Sequence, residues 1–249
     1  MCSVTWLLSD DGYQVFFNRD EQKTRALALP PQQEIINGTN VLMPIDPVGG
    51  GSWISINDRG LALCLLNNYQ GHTPNRALLS RGLLLKLLSS CHTKEQTDEH
   101  FKVLDLHQFA PFTLLVFSPQ LCLSHPQVTA YAWDGIKVNI HDTDSPLFSS
   151  GVELADVQHY RKAVYASLTS ANKNQQSLLR FHAHHHPEHG HLSTCMHRED
   201  AHTVSFTHLE VSGHGLSMSY VPGSPCTRLT TQALQQHRYT FTEKEILIA

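Results

Sequence analysis

The order in which strand-like and helix-like segments follow one another most constrains the fold of this 249-residue chain. Short segments rich in β-branched and aromatic residues come in consecutive groups, and paired helical segments lie between these groups. A doubly wound parallel sheet needs strands separated by single helices, so this order favours antiparallel sheets built from hairpins instead. We therefore predict an α+β architecture in one domain spanning residues 1–249, with paired helices on the outer faces of the sheets.

The predicted elements follow from local patterns of apolar residues and turn signals. The predicted strands cover residues 4–8, 13–17, 53–56, 61–66, 112–118, 128–133, 136–141, 148–150, 202–211, 216–221 and 239–241. The predicted helices cover residues 77–91, 93–104, 155–168 and 175–182. The first helix is apolar nearly all round, so we expect it to be covered on several sides. Residues 29–47 contain four prolines, and we predict an irregular connection there.

The first two strands form a hairpin whose register decides what lies beside the chain terminus. A tight turn at residues 11–12, an Asp-Gly pair, sets Cys2 opposite Glu21. A longer loop over residues 9–12 sets Cys2 opposite Arg19. In both registers the hairpin brings a thiol, a guanidinium and carboxylates together.

Cys2 carries the chemistry expected of an N-terminal nucleophile. Its small side chain permits removal of Met1, which leaves the free α-amine on the same residue as the thiol. An α-amine has a pKa of about 8 and acts as a base near neutral pH. A nearby cation lowers the pKa of a thiol, and Arg19 is such a cation across the hairpin. We therefore predict an activated thiol, against the simpler interpretation of an incidental cysteine near a chain terminus.

Composition and charge exclude several classes of function. The chain has 18 Lys and Arg against 22 Asp and Glu, a net charge of −4, and no basic block, so nucleic acid is not an expected partner. No apolar run approaches the roughly 20 residues of a membrane span. The first residues lack the pattern of a secretory signal, so we expect a cytoplasmic protein. Its six scattered cysteines should be mostly free thiols.

Histidine is unusually frequent, with 18 residues, and it is concentrated between His182 and His197. This segment also contains Cys195, and imidazoles suit zinc, copper, nickel or haem iron. There is no H-E-x-x-H motif, and Pro187 ends any helix that would bring His182 and His186 onto one face. We interpret the segment as a solvated loop with incidental metal affinity and assign no metal site to it. A physiological metal site and a haem contact are the alternatives.

Several short motifs together resemble the NRDE protein family, also called the TANGO2 or transport and Golgi organization 2 family. The motifs are Met1-Cys2, Asn18-Arg19-Asp20-Glu21, Gly50-Gly51-Ser52-Trp53, Asn68-Tyr69 and Ser80-Arg81-Gly82. The resemblance is dense over the first third of the chain. It is thinner later, where residues 197–205 look like the start of the family's C-terminal strand.

The resemblance implies a fold and part of a site. The family looks related to the N-terminal-nucleophile (Ntn) hydrolases, whose fold is a four-layer αββα sandwich of two stacked antiparallel sheets flanked by helix pairs. Its cysteine members, such as bile salt hydrolase and penicillin V acylase, carry an Arg and an Asp after the second strand. Arg19 and Asp20 stand in those places, although they are closer together here.

The same resemblance implies further residues around the thiol. Asn68 is the best match to an Asn that helps form the oxyanion hole, and Asn67 is the fallback. Arg198 matches a late Arg of those enzymes. They also carry a further Asn near residues 149–150, where this chain has two serines, so that part of the site is altered or lost.

Two functions follow from the resemblance. In the first, Cys2 attacks an amide-like carbonyl, its α-amine transfers the proton, and Asn68 with a backbone N–H stabilises the oxyanion. Arg19 and Asp20 hold the reacting groups. The substrate is a small molecule, the bond cleaved is a non-peptide C–N bond, and no cofactor is required. The alternative is a carrier or chaperone that binds haem or an acylated lipid in the same cleft without catalysis. The family's association with haem trafficking and with lipid or acyl-CoA metabolism suggests this alternative.

Overall fold

A computed structural model describes residues 2–242, and the strands in this part of the chain form two antiparallel sheets. The strands are β1 (Cys2–Ser9), β2 (Gly12–Gln22), β3 (Leu29–Ile36), β4 (Thr39–Ile45), β5 (Ile54–Asn57), β6 (Ala62–Asn67), β7 (Phe112–Phe117), β8 (Val128–Trp133), β9 (Val138–Thr143), β10 (Leu147–Ser149), β11 (Ala201–Ser212), β12 (Gly215–Pro222) and β13 (Arg238–Tyr239). One sheet has the order β10-β1-β2-β11-β12-β13, and the other has the order β3-β4-β5-β6-β7-β8-β9.

Four of the helices lie between the groups of strands, as predicted, and two short helices before β13 were not predicted. They are α1 (Arg81–Leu88), α2 (Lys94–Lys102), α3 (Leu154–Thr169), α4 (Gln175–His182), α5 (Pro225–Arg228) and α6 (Thr231–Gln236). A short 3₁₀ turn covers Leu106–Gln108. Within residues 2–242, every helix is too short or too polar to span a lipid bilayer.

Alternation of apolar residues along the strands produces three buried layers. Between the sheets, inward side chains such as Phe17 and Leu115 form the largest cluster. Leu84 of α1 and Phe101 of α2 pack on the outer face of the seven-stranded sheet. Leu178 of α4 packs on the outer face of the six-stranded sheet, with α3 beside α4. The chain is therefore an α+β sandwich with layers in the order αββα.

Cys2 faces Arg19 in the first hairpin. Ser9 pairs with Gly12 across a two-residue turn at residues 10–11, which gives the second of the two registers that the sequence left open. The turn is shorter than the loop predicted over residues 9–12. Ser9 Oγ donates a hydrogen bond to Asp11 Oδ1 at 2.9 Å. Gly12 is needed for strand packing, because a Cβ there would lie 2.0 Å from a backbone oxygen of β11.

The irregular connection predicted for residues 29–47 is wrong, because β3 and β4 occupy most of it. Pro30 and Pro31 lie at a register shift in β3, which is the edge strand of its sheet. Edge strands and bulges tolerate proline because the missing N–H is not needed there for pairing. Pro44 lies beyond the short pairing between β4 and β5.

The helix predicted over residues 77–91 is shorter and less covered than expected. The backbone of Leu79 bridges to Phe109, which keeps the preceding residues extended and delays the start of α1. Leu84 and its buried neighbours face the sheet, whereas Leu87 remains 46% exposed. The predicted start of α2 is confirmed, since the Thr93 side chain accepts a hydrogen bond from a backbone N–H in the first turn.

Candidate active site

Cys2 is buried at the start of β1, between Arg19 on β2 and Ser149 on β10. The backbone N–H of Asp20 donates a hydrogen bond to its sulfur. Burial raises the pKa of the Cys2 thiol, and this outweighs the lowering by Asp20 N–H and by the Arg19 charge. The activation by Arg19 that the sequence predicts is therefore the smaller effect. Near neutral pH the thiol is protonated and needs a base to become a nucleophile.

The Arg19 guanidinium is held between an aromatic ring and a carboxylate. Its central carbon lies 4.0 Å from the ring centroid of Trp53. Its Nη2 donates a hydrogen bond to Glu21 Oε2 at 3.3 Å. A cation over an indole is worth about 0.5–2 kcal/mol, so this contact favours the observed position of the side chain. This contact joins the motif at residues 18–21 to the motif at residues 50–53.

The glycines at residues 49–51 let this loop approach the start of α1. A Cβ on Gly51 would lie 2.1 Å from the carbonyl carbon of Gly82, so only glycine fits. The backbone N–H of Ser52 donates to Gly82 O at 3.2 Å. Backbone packing therefore sets Trp53 in place under Arg19 and connects the third motif to the one at residues 80–82.

Asp20 is buried and held by Thr203 and Arg161. Thr203 Oγ1 donates to Asp20 Oδ1 at 2.6 Å. Arg161 Nη2 lies 3.9 Å from Asp20 Oδ2, and both side chains are fully buried. Burial raises the pKa of Asp20, opposed by the Arg161 charge and the Thr203 hydrogen bond. Asp20 is thus part of a buried charged pair directly after Arg19.

Sequence reasoning missed Arg161, which connects three parts of the site. Beyond its ion pair, its Nη1 donates to Ser3 Oγ at 2.7 Å and its Nε donates to Leu192 O at 3.1 Å. It therefore links α3 to the strand that carries Cys2 and to the histidine-rich segment. The signal in the sequence is an arginine inside an otherwise apolar stripe, between Val157 and Tyr165 at spacings of four.

Ser149 is one of the two serines near which the resemblance implies an Asn, and it lies beside Cys2. It pairs directly with Cys2 across β1 and β10, and it is 6% exposed. Within residues 2–242 its Oγ has no hydrogen-bond partner. An unpaired buried hydroxyl costs about 1–3 kcal/mol, so this group gains from a hydrogen bond to a ligand.

Asn68 lies at the end of β6, on the other sheet. Its Nδ2 donates to a carbonyl of β8 at 3.4 Å, and its Oδ1 accepts from the Gln70 N–H at 3.3 Å. The Gln70 side chain donates to Ser150 O at 3.1 Å, which brings this turn against the end of β10. The fallback, Asn67, donates to a neighbouring tyrosine hydroxyl at 2.9 Å. A role for either as oxyanion donor stays a prediction.

A cavity of about 280 Å³ lies beside Asp20, and Tyr69, Met196 and Arg198 also line it. Arg198 forms two hydrogen bonds with the Asp200 carboxylate, at 2.9 and 2.7 Å. Asp20 connects this cavity to Cys2, because its backbone N–H reaches the sulfur. Ligand sites usually enclose about 300–1,000 Å³, so this volume lies just below that range and has room only for a small molecule or part of a larger one. A catalytic role for Arg198 stays a prediction.

The histidine-rich segment divides into separate environments rather than forming one loop. His182 is fully buried at the end of α4. Its Nε2 accepts from Thr5 Oγ1 at 2.9 Å and its Nδ1 donates to Asn18 Oδ1 at 3.0 Å. Burial, together with the smaller effect of the Arg161 charge, lowers the pKa of His182 to about 3. Asn18, the first residue of its motif, therefore holds a core histidine.

Solved structures share this architecture. Penicillin V acylase from Agrobacterium tumefaciens aligns with a TM-score of 0.50 and 12% identity, over 89% of this chain and 83% of its own. A C2A mutant of conjugated bile acid hydrolase from Clostridium perfringens aligns with a TM-score of 0.50 and 11% identity, over 89% and 92%. An N-acylethanolamine-hydrolyzing acid amidase ortholog from Caenorhabditis elegans aligns with a TM-score of 0.50 and 11% identity, over 97% and 100%. The chain therefore has the αββα fold of the Ntn hydrolases.

The family follows from the sequence itself. The model of the transport and Golgi organisation 2 family matches residues 1–222, and the chain belongs to that family. No curated protein is similar enough in sequence to count as a relative. The interpretation as a haem or acyl-lipid carrier stays a prediction.

Proposed function

We propose that this protein is an Ntn cysteine amidohydrolase that cleaves a small non-peptide C–N bond. The observation that carries the proposal is the setting of Cys2, buried at the start of β1 between Arg19 and Ser149. The Asp20 N–H contacts its sulfur, and the same residue lines a cavity of about 280 Å³. The fold shared with acylases and amidases supports the same function.

The raised pKa of the Cys2 thiol determines how the reaction starts. A protonated thiol must lose its proton as it attacks, and the α-amine exposed by removal of Met1 is a base on the same residue. The sulfur bonds to the carbonyl carbon, and the amine carries the proton to the leaving nitrogen as the C–N bond breaks. Water then hydrolyses the thioester, releasing the acid and restoring the thiol.

The surrounding residues support distinct parts of this reaction. The Ser149 hydroxyl and the Asn68 amide are the proposed donors to the oxyanion, each worth about 3–4 kcal/mol in comparable sites. Arg19 is held by Trp53 and orients the start of β1 through its strand pairing with Cys2. The buried pair of Asp20 and Arg161 fixes the backbone whose N–H reaches the sulfur.

The experiment measures release of primary amine from penicillin V, an N-acylethanolamine and a conjugated bile acid, with the intact mass of the same protein recorded in parallel. We expect the protein to lack Met1 and to hydrolyse at least one of these amides. Cys2→Ala should abolish turnover, and Ser149→Ala should lower kcat by about 100-fold.

Cys122→Ser is the matched control, because it removes a thiol that lies away from the buried core. It should keep the rate of the unmodified protein. Circular dichroism of each variant checks its folding. Retention of Met1 in active protein, equal rates in Cys2→Ala, or no hydrolysis of any amide would each overturn the proposal.

A further inference from the structure

The side chains of Cys195 and His197 lie together just before β11, with Cys195 Sγ 3.6 Å from His197 Nε2. Met196 lies between them in the chain, and its backbone N–H donates to Thr203 Oγ1 at 2.8 Å. The Thr203 N–H donates in turn to Met196 O at 2.9 Å. The N–H groups of Cys195 and His197 donate to carbonyls of the preceding loop at 2.9 Å each. Met196, between them, lines the cavity beside Asp20.

A second thiol reaches this pair from a separately anchored element. Cys226 lies in α5, 29 residues after His197. The loop before α5 is tied to β11, because Ser224 Oγ donates to Thr203 O at 3.0 Å and Gly223 N–H donates to Val204 O at 2.8 Å. The Cys226 N–H donates to Cys195 Sγ at 3.4 Å. Both backbone segments are therefore fixed before any ligand binds.

The spacing of the three side chains matches a tetrahedral metal site. His197 Nε2 lies 3.6 Å from Cys195 Sγ and 3.4 Å from Cys226 Sγ. All three ligand atoms lie within 4.8 Å of one another. A tetrahedral zinc ion with bonds of about 2.3 Å to sulfur and about 2.1 Å to nitrogen separates these atoms by about 3.6 Å.

The three side chains lie partly inside the protein and partly at a cavity that opens to solvent. Cys195 is fully buried, whereas His197 lines a second cavity, of about 520 Å³, through which an ion can arrive. The His185 ring lies 4.4 Å from the His197 ring, and its Nδ1 hydrogen-bonds Cys195 O at 3.4 Å. These contacts restrict the His197 ring and the Cys195 backbone.

We propose that Cys195, His197 and Cys226 bind one Zn²⁺ ion, with the fourth tetrahedral position left to water. Two thiolates and an imidazole are ligands that zinc prefers. Each thiol releases its proton to solvent as the ion binds. The ion joins α5 to the segment that carries Met196 and so fixes one wall of the cavity beside Asp20. The proposal does not depend on amide hydrolysis.

The sequence alone assigned no metal site to residues 182–197, which lack an H-E-x-x-H motif, and Cys226 lies outside that segment. Within the described part of the chain, a second group of possible ligands does lie there, formed by His186, Glu188 and His189. That group is largely exposed and has no thiol, so it serves as the comparison for incidental binding.

The experiment titrates Co²⁺ and then Zn²⁺ into reduced, chelator-treated full-length protein. We expect one Co²⁺ per chain to give a sulfur-to-cobalt charge-transfer band and intense tetrahedral d–d bands, which Zn²⁺ then abolishes. In Cys226→Ser the charge-transfer band should weaken. Zn²⁺ affinity, measured against a chromophoric chelator, should fall by more than the roughly 100-fold typical of changing a residue that only hydrogen-bonds to a metal ligand.

Two controls separate the site from other thiols and imidazoles. Cys122→Ser removes a thiol that also lies near a histidine, at 3.8 Å from His125 Nδ1, and should leave the band unchanged. The double variant His186→Ala/His189→Ala should also keep it. Should Cys226→Ser fail to fold, His197→Gln tests the same ligand set. Absence of the band in unmodified protein, or unchanged Zn²⁺ affinity in the ligand variants, would overturn the proposal.

Discussion

Buried histidines make the stability of this fold depend on pH in a calculable way. Burial lowers the pKa of His182 to about 3 and that of His208 to about 4, with Arg161 and Arg238 adding to the respective shifts. In the unfolded chain a histidine has a pKa of about 6.5, so below that pH the unfolded state binds more protons. The stabilisation is fully present above pH 6.5 and is lost as the pH falls towards 4.

The magnitude follows from these values. At about 1.36 kcal/mol per pH unit, lowering the pH from 6.5 to 5 reduces the free energy of unfolding by about 2 kcal/mol for each histidine. Domains are typically stable by about 5–15 kcal/mol, so a combined loss of about 4 kcal/mol is readily measured.

The variant His182→Gln removes the titrating group but keeps a donor and an acceptor towards Asn18 and Thr5. Urea unfolding at pH 7.5 and pH 5 gives the loss of stability on acidification for each protein. We expect that loss to be smaller by about 2 kcal/mol in His182→Gln than in the unmodified chain. His214→Gln, at an exposed turn, should leave it unchanged. Equal losses in His182→Gln and the unmodified chain would show that the lowered pKa of His182 does not make the stability depend on pH.

Three other substitutions or labels test the packing around the site. Hydrogen bonds from Ser124 and His125 lower the pKa of the Cys122 thiol to about 7. Iodoacetamide at pH 7 should therefore modify Cys122 before Cys2, and peptide mapping measures the order of labelling. Faster labelling of Cys2 would contradict the raised pKa of its thiol. Arg161→Met leaves Asp20 without its counter-charge and should lower the free energy of unfolding in urea by about 3–5 kcal/mol. Lys162→Met, on the exposed side of α3, should change that free energy by less than about 0.5 kcal/mol. Similar values for both variants would argue against a buried ion pair. Gly51→Ala should lower the melting temperature because its new Cβ would collide with Gly82. Gly213→Ala should leave the melting temperature unchanged, since its Cβ would lie 3.7 Å from the nearest atom. An unchanged melting temperature in Gly51→Ala would argue against the close approach of Gly51 to Gly82.

Local patterns in the sequence predict much of the fold. The order of the elements, the paired helices and the hairpin around Cys2 could be predicted because they depend on periodicity and turn residues. The register could not be chosen, because Gly12 is required by its contact with β11 and not by a tight turn at residues 11–12. The strands around Pro30 were missed because edge position, which makes proline acceptable, is a property of the whole sheet.

The site shows the same division. Cys2, Arg19 and Asp20 come together through one hairpin, so their proximity follows from the sequence. Arg161 comes from a distant helix, and only the packing of α3 brings it to Asp20. Cys226 similarly reaches His197 through the hairpin of β11 and β12. Long-range contacts of this kind leave no fixed spacing in the sequence.

In the proposed reaction Cys2 forms a covalent acyl intermediate from an N-terminal position. Turnover of a hydrolysed amide is quenched in acid, and the acylated residue is mapped by peptide mass spectrometry. We expect an acyl group on Cys2 in a terminal peptide that lacks Met1 and has a free α-amine. An acyl group on another cysteine, or turnover by a chain that retains Met1, would contradict the proposed reaction.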